Sequence, residues 1–472
     1  MTAQDPQASG HGEDSPPRRR VGRRGLIGAA GASLLVGGGV GYGLGRSGTG
    51  SGPGDTATGG ADGSAGPDGS GGADAHLSRA YPLRGAHQAG IVTPAQDYMF
   101  TAAFDVTAHA LDDLRDLMST WCVAAEQMTA GELVGGTPDA NRYAAPRDTG
   151  EVWGYPPSSL TLTFGVGGSL FVDAKGKDRF GLKKKAPRIL LDGMPRFANE
   201  QLQPAVSDGD LVVQACADDA QVAMHAIRNL TRIAFGTATL RWTQIGYGRT
   251  SSTSTTQETP RNLFGFKDGT ANVKAEDGAD VLAKHLWVGT DDDAGDWLAG
   301  GTYMCARKIR MLMEIWDRQQ LLDQEETIGR DKRFGAPLSV PDVSRPAQEF
   351  TAADYEAKAV GSGGGSGGGG PAIPADAHIR IVAPEQNHGA RMLRRGYNYT
   401  DGNDSLGRIN GGLFFLAFVR DPTTGFYPIL DRMTKDDALT EYLQHVASGL
   451  FAVLPGVGEK DTMIGQNLFG AR

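Results

Sequence analysis

Cysteine is scarce in this 472-residue chain, which has three: Cys122, Cys216 and Cys305. They lie far apart and match no metal-ligand spacing, which argues against a zinc site built on them. Each sits in an apolar run, so a small buried side chain is expected rather than a disulfide partner. Histidine is sparse too, nine residues with no pair at the spacing of a zinc motif. Excess positive charge is missing: the formal net charge is -9, which argues against a broad nucleic-acid footprint. The apolar run at 25–44 is glycine-rich and barely long enough for a permanent membrane span.

Glycine, by contrast, is plentiful, with 69 residues, and points to low-complexity segments. Residues 45–80 read as a disordered spacer, and 361–370 as a flexible loop. Ahead of the spacer, Arg18, Arg19, Arg20, Arg23 and Arg24 precede the apolar run, in the order of a targeting segment. The pair Arg23-Arg24, followed by Gly25, Leu26 and Ile27, resembles a twin-arginine export signal. Residues 1–44 are therefore expected to engage the twin-arginine export machinery as a signal or anchor. The protein would end outside the cytoplasm: extracellular, periplasmic or attached to the cell envelope. A chain without disulfides fits export after folding.

Order is expected from about Tyr81. Strands are predicted at 98–105, 160–167, 210–216 and 240–247, with helices over 107–129 and 217–235. Strand, helix, strand, strand, helix, strand is the split order of a ferredoxin-like unit. A similar order recurs downstream. There a long strand is expected over 301–316, a short helix over 318–328, strands at 378–382 and 412–419, and an amphipathic helix over 435–448. The fold class is α+β, as two halves, 81–260 and 261–472. Packed together, they leave room for a large apolar cofactor between sheets and helices.

Gly265 to Asn272 holds one acid, Asp268, between Gly265 and Gly269, with Phe264 and Phe266 beside it. Locally this reads as a β-turn in which aspartate bonds its own backbone. It also reads as an acid/base presented from a tight loop into an apolar pocket. Further on, His378 lies in an apolar run, and Arg394 and Arg395 follow beside Tyr397. His388 is a rival ligand, but its surroundings are polar and loop-like.

Together these segments resemble the dye-decolorizing peroxidases, and among them the twin-arginine-exported group. Gly265-Phe266-Lys267-Asp268-Gly269 matches that family's Gly-x-x-Asp-Gly signature. Asp376 to Arg380 and Met392 to Tyr397 follow in the family's order. Supporting blocks are His87 to Ile91, Trp316 to Arg318, Ile328 to Lys332, Gly335 to Pro337 and Ser448 to Gly456. The resemblance runs from about Tyr81 to the end, omitting the glycine tract.

The resemblance implies two ferredoxin-like halves of the dimeric α+β barrel type, with haem b between sheet and helices. His378 becomes the iron ligand, Asp268 the distal acid/base and Arg394 the distal cation. Gly265, Phe266, Lys267, Gly269, Thr270 and Arg330 join His378 as cofactor-binding residues, and Asp437 is the candidate partner for the far side of the imidazole. The implied partners are hydrogen peroxide and aromatic or dye electron donors, oxidised through an oxo-ferryl intermediate; a homo-oligomer is compatible. Two other readings are release of iron from haem, a deferrochelatase role, and non-enzymatic haem binding. An unperturbed aspartic acid has a pKa of about 3.9, so dye oxidation is expected to be fastest at acidic pH. Core packing is expected for most of the tryptophans. Gly396 stands where some relatives place an Asn, so any third distal donor must come from elsewhere.

Overall fold

Side-chain alternation along nine strands sorts the described residues into a closed sheet with helices packed on its outside. The computed structural model describes residues 77–136, 141–359 and 370–471. The export-signal reading lies outside the described residues, as do nearly all of the spacer and the glycine tract. No helix among the described residues is long and apolar enough to cross a membrane.

The first half comprises β1 (Tyr98–Val106), α1 (Leu111–Thr129), β2 (Thr161–Gly167), β3 (Leu211–Ala217), α2 (Ala220–Ile233) and β4 (Ala238–Arg249). The second comprises β5 (Thr302–Met311), α3 (Leu321–Ile328), α4 (His378–Ile381), β6 (Leu393–Arg394), β7 (Tyr397–Asn403), β8 (Ile409–Val419), α5 (Tyr427–Asp436) and β9 (Leu443–Val453). Antiparallel pairing gives the order β4-β1-β3-β2 in one half and β9-β5-β8-β7 in the other. Each is the ferredoxin-like order. Pairs β2–β9 and β4–β7 join the halves, and the β5–β8 pair closes the sheet.

Alternate residues of each strand fill the interior: Met99 and Ala103 of β1, Met304 and Ala306 of β5, Phe414, Leu416 and Phe418 of β8. Their neighbours face outward. Phe104 packs against Trp121 of α1, and Leu114, Leu117, Met118 and Ala125 continue that buried stripe. Asp219 caps α2 by accepting from the Gln221 and Val222 amides, worth about 1 kcal/mol. On β5 the outward residues Arg307, Ile309 and Met311 line a cavity against α4 and α5. Cys122, Cys216 and Cys305 are buried and free.

Three segments differ from expectation. His378 lies on a single helical turn rather than a strand. A short apolar run fits either state, and Asn387 favours the turn by donating to the Ile381 and Ala383 carbonyls, both at 2.8 Å. The strand expected to reach Trp316 stops at Met311, and Met313–Trp316 is helical. The helix expected over 435–448 is the end of α5, a 3-10 turn at Ala438–Tyr442 and the start of β9. Pairing of Leu443, Gln444 and His445 with β5 overrides the helical periodicity of the same residues.

Candidate active site

The loop before Asp268 is built by local polar chemistry. Asn262 accepts from the Phe264 amide at 3.0 Å, and its carbonyl accepts from the Gly265 amide at 2.9 Å. Gly265 and Gly269 both have φ of +83°, the left-handed region that glycine enters at no steric cost. At Gly269 a Cβ would lie 2.8 Å from the Ser251 Cα, so the close approach of two backbones also demands glycine. Phe264 stacks on Trp316 at 4.4 Å, and Phe266 meets the same ring edge-on at 5.9 Å. These rings anchor the loop in a small apolar core with Met311, Ile328 and Leu439.

Asp268 meets two donors there. Arg394 Nη1 donates to Oδ1 at 3.1 Å, and Asn262 Nδ2 donates to Oδ2 at 3.2 Å. Arg394 arrives from β6, and alternation sends its neighbour the other way: Arg395 is fully buried, donating to Gln96 and to the Thr93 carbonyl. Asn272 clamps the backbone of Arg394 on both sides. Its Nδ2 donates to the Arg394 carbonyl at 2.8 Å, and its Oδ1 accepts from the Arg394 amide at 2.6 Å.

His378 enters the same cavity from α4. Its Nδ1 donates to Asp437 Oδ2 at 2.7 Å, the tautomer assigned from the carboxylate's acceptor-only character. Burial pulls this imidazole toward neutrality, but the Asp437 carboxylate, aided by Asp268, outweighs it and raises the pKa. In the neutral ring, with Nδ1 committed as donor, Nε2 keeps its lone pair. Asp437 holds its place through the Leu439 amide, which donates to Oδ1 at 2.8 Å. His388 is exposed on a left-handed turn, φ +55°, and is not among the cavity-lining residues.

Phe266, Lys267, Gly269, Thr270 and Arg330 line the cavity; Gly265 does not, and shapes the turn instead. Lys267 pairs with Glu349 at 2.7 Å. Arg330 donates through Nη1 to the Gly335 and Glu349 carbonyls, and its pKa is lowered, chiefly by burial. The Thr270 hydroxyl is buried without a protein partner. The remaining wall is largely apolar, including Ile309, Met311, Leu413, Phe415 and Leu430. Trp121, Trp242, Trp297 and Trp316 are buried, Trp153 is exposed, and Trp287 stacks on His87 at 3.8 Å.

Sequence reasoning assigned no role to Asn262, Asn272, Arg307 or His445. Asn272 sits inside the Gly265–Asn272 stretch, and its position there was the available signal. His445 had none, because it was read as part of a helix.

Comparison with known proteins agrees over most of the chain. The family model described as Dyp-type peroxidase, N-terminal, matches residues 88–248, and that described as Dyp-type peroxidase, C-terminal, matches residues 259–458. Deferrochelatases of Escherichia coli and Shigella sonnei are 35% identical over 391 residues, covering 82% of this chain and 86% of theirs. Among solved structures, ferric DtpA from Streptomyces lividans is similar with a TM-score of 0.72 at 38% identity, over 84% of this chain and 98% of that one. A DyP-type peroxidase from Streptomyces coelicolor gives the same TM-score of 0.72, with 38% identity over 84% of this chain and 98% of that one. Matched in both halves and across the cavity that joins Asp268, Arg394 and His378, this chain belongs to the Dyp-type peroxidase family.

Proposed function

We propose that the protein is an exported peroxidase that holds haem b in this cavity and uses hydrogen peroxide to oxidise aromatic donors, dyes among them. One observation carries the reading. A carboxylate-backed imidazole and an aspartate–arginine pair line the same largely apolar cavity. The donor set fits haem. The free Nε2 of His378 suits iron, and its Asp437 bond raises ligand basicity. Apolar side chains suit the macrocycle, and Arg330, with donors left over, suits a carboxylate at its edge.

When bound, the haem supplies the iron that takes up peroxide and the oxidising equivalents that pass to the donor. The chain's own residues manage protons and charge. Asp268 takes a proton from the inner peroxide oxygen and returns it to the outer one. Oδ2 suits this task, because Arg394 occupies Oδ1 and only the longer Asn262 contact touches Oδ2. Arg394 places a permanent positive charge where the O–O bond breaks. Asn262 donates to the other oxygen of Asp268 and steadies that carboxylate.

The relatives named deferrochelatase support a second reading, release of iron from haem. Analysis of the porphyrin after turnover separates the two, since peroxidase turnover leaves iron in the haem. A carrier has no need of Asp268 or Arg394. The test is an absorption spectrum of the purified protein before and after one equivalent of peroxide, with Asp268→Ala and His378→Ala alongside. A wild type without a Soret band would end the haem reading. Export is tested separately: Arg23→Lys with Arg24→Lys is expected to leave the protein in the cytoplasm.

A further inference from the structure

His445 and Arg307 form a second polar feature of the cavity wall that the chemistry above does not use. They project from neighbouring strands, with Ile309 opposite His445 and Ser448 opposite Arg307. Both line the cavity. Arg307 is nevertheless not a free cation, because each of its three nitrogens already donates within the protein and Glu200 pairs with its charge. Nη1 donates to Ser448 Oγ at 3.0 Å and to Met194 Sδ at 3.4 Å, and Nη2 donates to Glu200, whose carboxylate matches the charge. Nε donates to His445 Nδ1 at 3.3 Å.

That last bond fixes the imidazole. A guanidinium N–H only donates, so Nδ1 of His445 must be the bare nitrogen and Nε2 must carry the hydrogen. Burial, with Arg307 beside it, holds the ring neutral by pushing its pKa down to about 3. An Nε2–H cannot ligate iron, which needs that nitrogen's lone pair. It can only donate, and among the described residues nothing accepts from it. A few placed polar groups on an otherwise apolar wall are what orient a ligand in such a cavity.

We propose that the Nε2–H of His445 is a recognition contact for a carboxylate on the edge of the tetrapyrrole that fills this cavity. The inference rests on the haem reading above. The ring nitrogens of a tetrapyrrole point inward to the metal, so its strong acceptors at the rim are its carboxylates. The Glu200–Arg307 pair behind His445 is balanced and does not repel an anion. Arg307 and Glu200 act as positioning residues, setting the tautomer.

The test uses metal-free protoporphyrin IX and its dimethyl ester, so that the axial ligand contributes nothing and binding is read by fluorescence. Haem-free wild-type protein is expected to prefer the free acid. His445→Phe should weaken acid binding about tenfold to a hundredfold, the effect of losing a hydrogen bond to a charged group. Ester binding should stay unchanged, and His445→Gln, which keeps an N–H, should restore part of the loss. An unchanged acid-to-ester ratio in His445→Phe overturns the proposal and leaves the haem reading intact. A wild type that binds neither porphyrin overturns both. Should the variants fail to fold, nitrogen-15 NMR of the wild type decides: the His445 Nε2–H resonance should move with the acid and not with the ester, and equal behaviour overturns the proposal.

Discussion

Asp437 accepts from His378 Nδ1 at 2.7 Å, joining the α4 turn to the end of α5. The bond orients the ring, fixes its tautomer and leaves one nitrogen free for a metal. Removing it should therefore weaken haem without unfolding the cavity. Asp437→Asn is expected to lower haem affinity by about tenfold to a hundredfold. Its reduction potential should also rise, because the axial imidazole loses basicity. Haem transfer to an acceptor protein and a spectroelectrochemical titration measure the two effects.

Among the described residues, His378→Ala removes the only cavity imidazole whose Nε2 lone pair is free in the neutral ring, since His445 carries hydrogen there. The purified variant is expected to lose the Soret band of histidine-ligated haem. A variant that keeps the wild-type spectrum would place the ligand elsewhere.

Asp268→Asn and Arg394→Leu should each bind haem normally and react slowly with peroxide. A positioned acid/base contributes about a hundredfold to ten-thousandfold, and an electrostatic donor at the developing charge about a hundredfold or more. Stopped-flow absorbance after one equivalent of peroxide gives the rate. Dye oxidation by the wild type is expected to be fastest at acidic pH; a neutral plateau that collapses on acidification would overturn that expectation.

Gly269→Ala should destabilise the loop that presents Asp268, because φ is +83° and the added Cβ would meet the Ser251 backbone. A cost of about 1–3 kcal/mol is expected, read as a lower thermal midpoint together with reduced peroxide reactivity.

Acid stability should report on His445. Its folded pKa, about 3, lies below the ordinary histidine value of 6.5, so the unfolded chain takes up that proton first on acidification. The resulting stabilisation is full above about pH 6.5 and is lost as pH falls toward 3, a change on the order of a few kcal/mol. In haem-free protein, denaturant midpoints should fall over that window, and His445→Gln should flatten the fall.

Much of this molecule is written locally in its sequence. The strands of the first half, the α1 stripe from Leu114 to Ala125, and the turn around Asp268 follow from side-chain period and from glycine and asparagine chemistry within a few residues. Asp268, His378 and Arg394 were legible because their neighbours in the chain form recognisable blocks. Asp437 was named from the resemblance as well, though only the fold shows its carboxylate against His378.

Tertiary structure decided the rest. Leu443 to His445 have a helical period and became a strand because β5 offered a ladder for their backbone groups. Asn272 clamps Arg394, and Arg307 sets the His445 tautomer, across separations that no local pattern records. The physical reason is common to all three. Short-range propensities differ by fractions of a kcal/mol per residue, whereas a buried polar group left without a partner costs about 1–3 kcal/mol, so long-range pairing chooses between local alternatives.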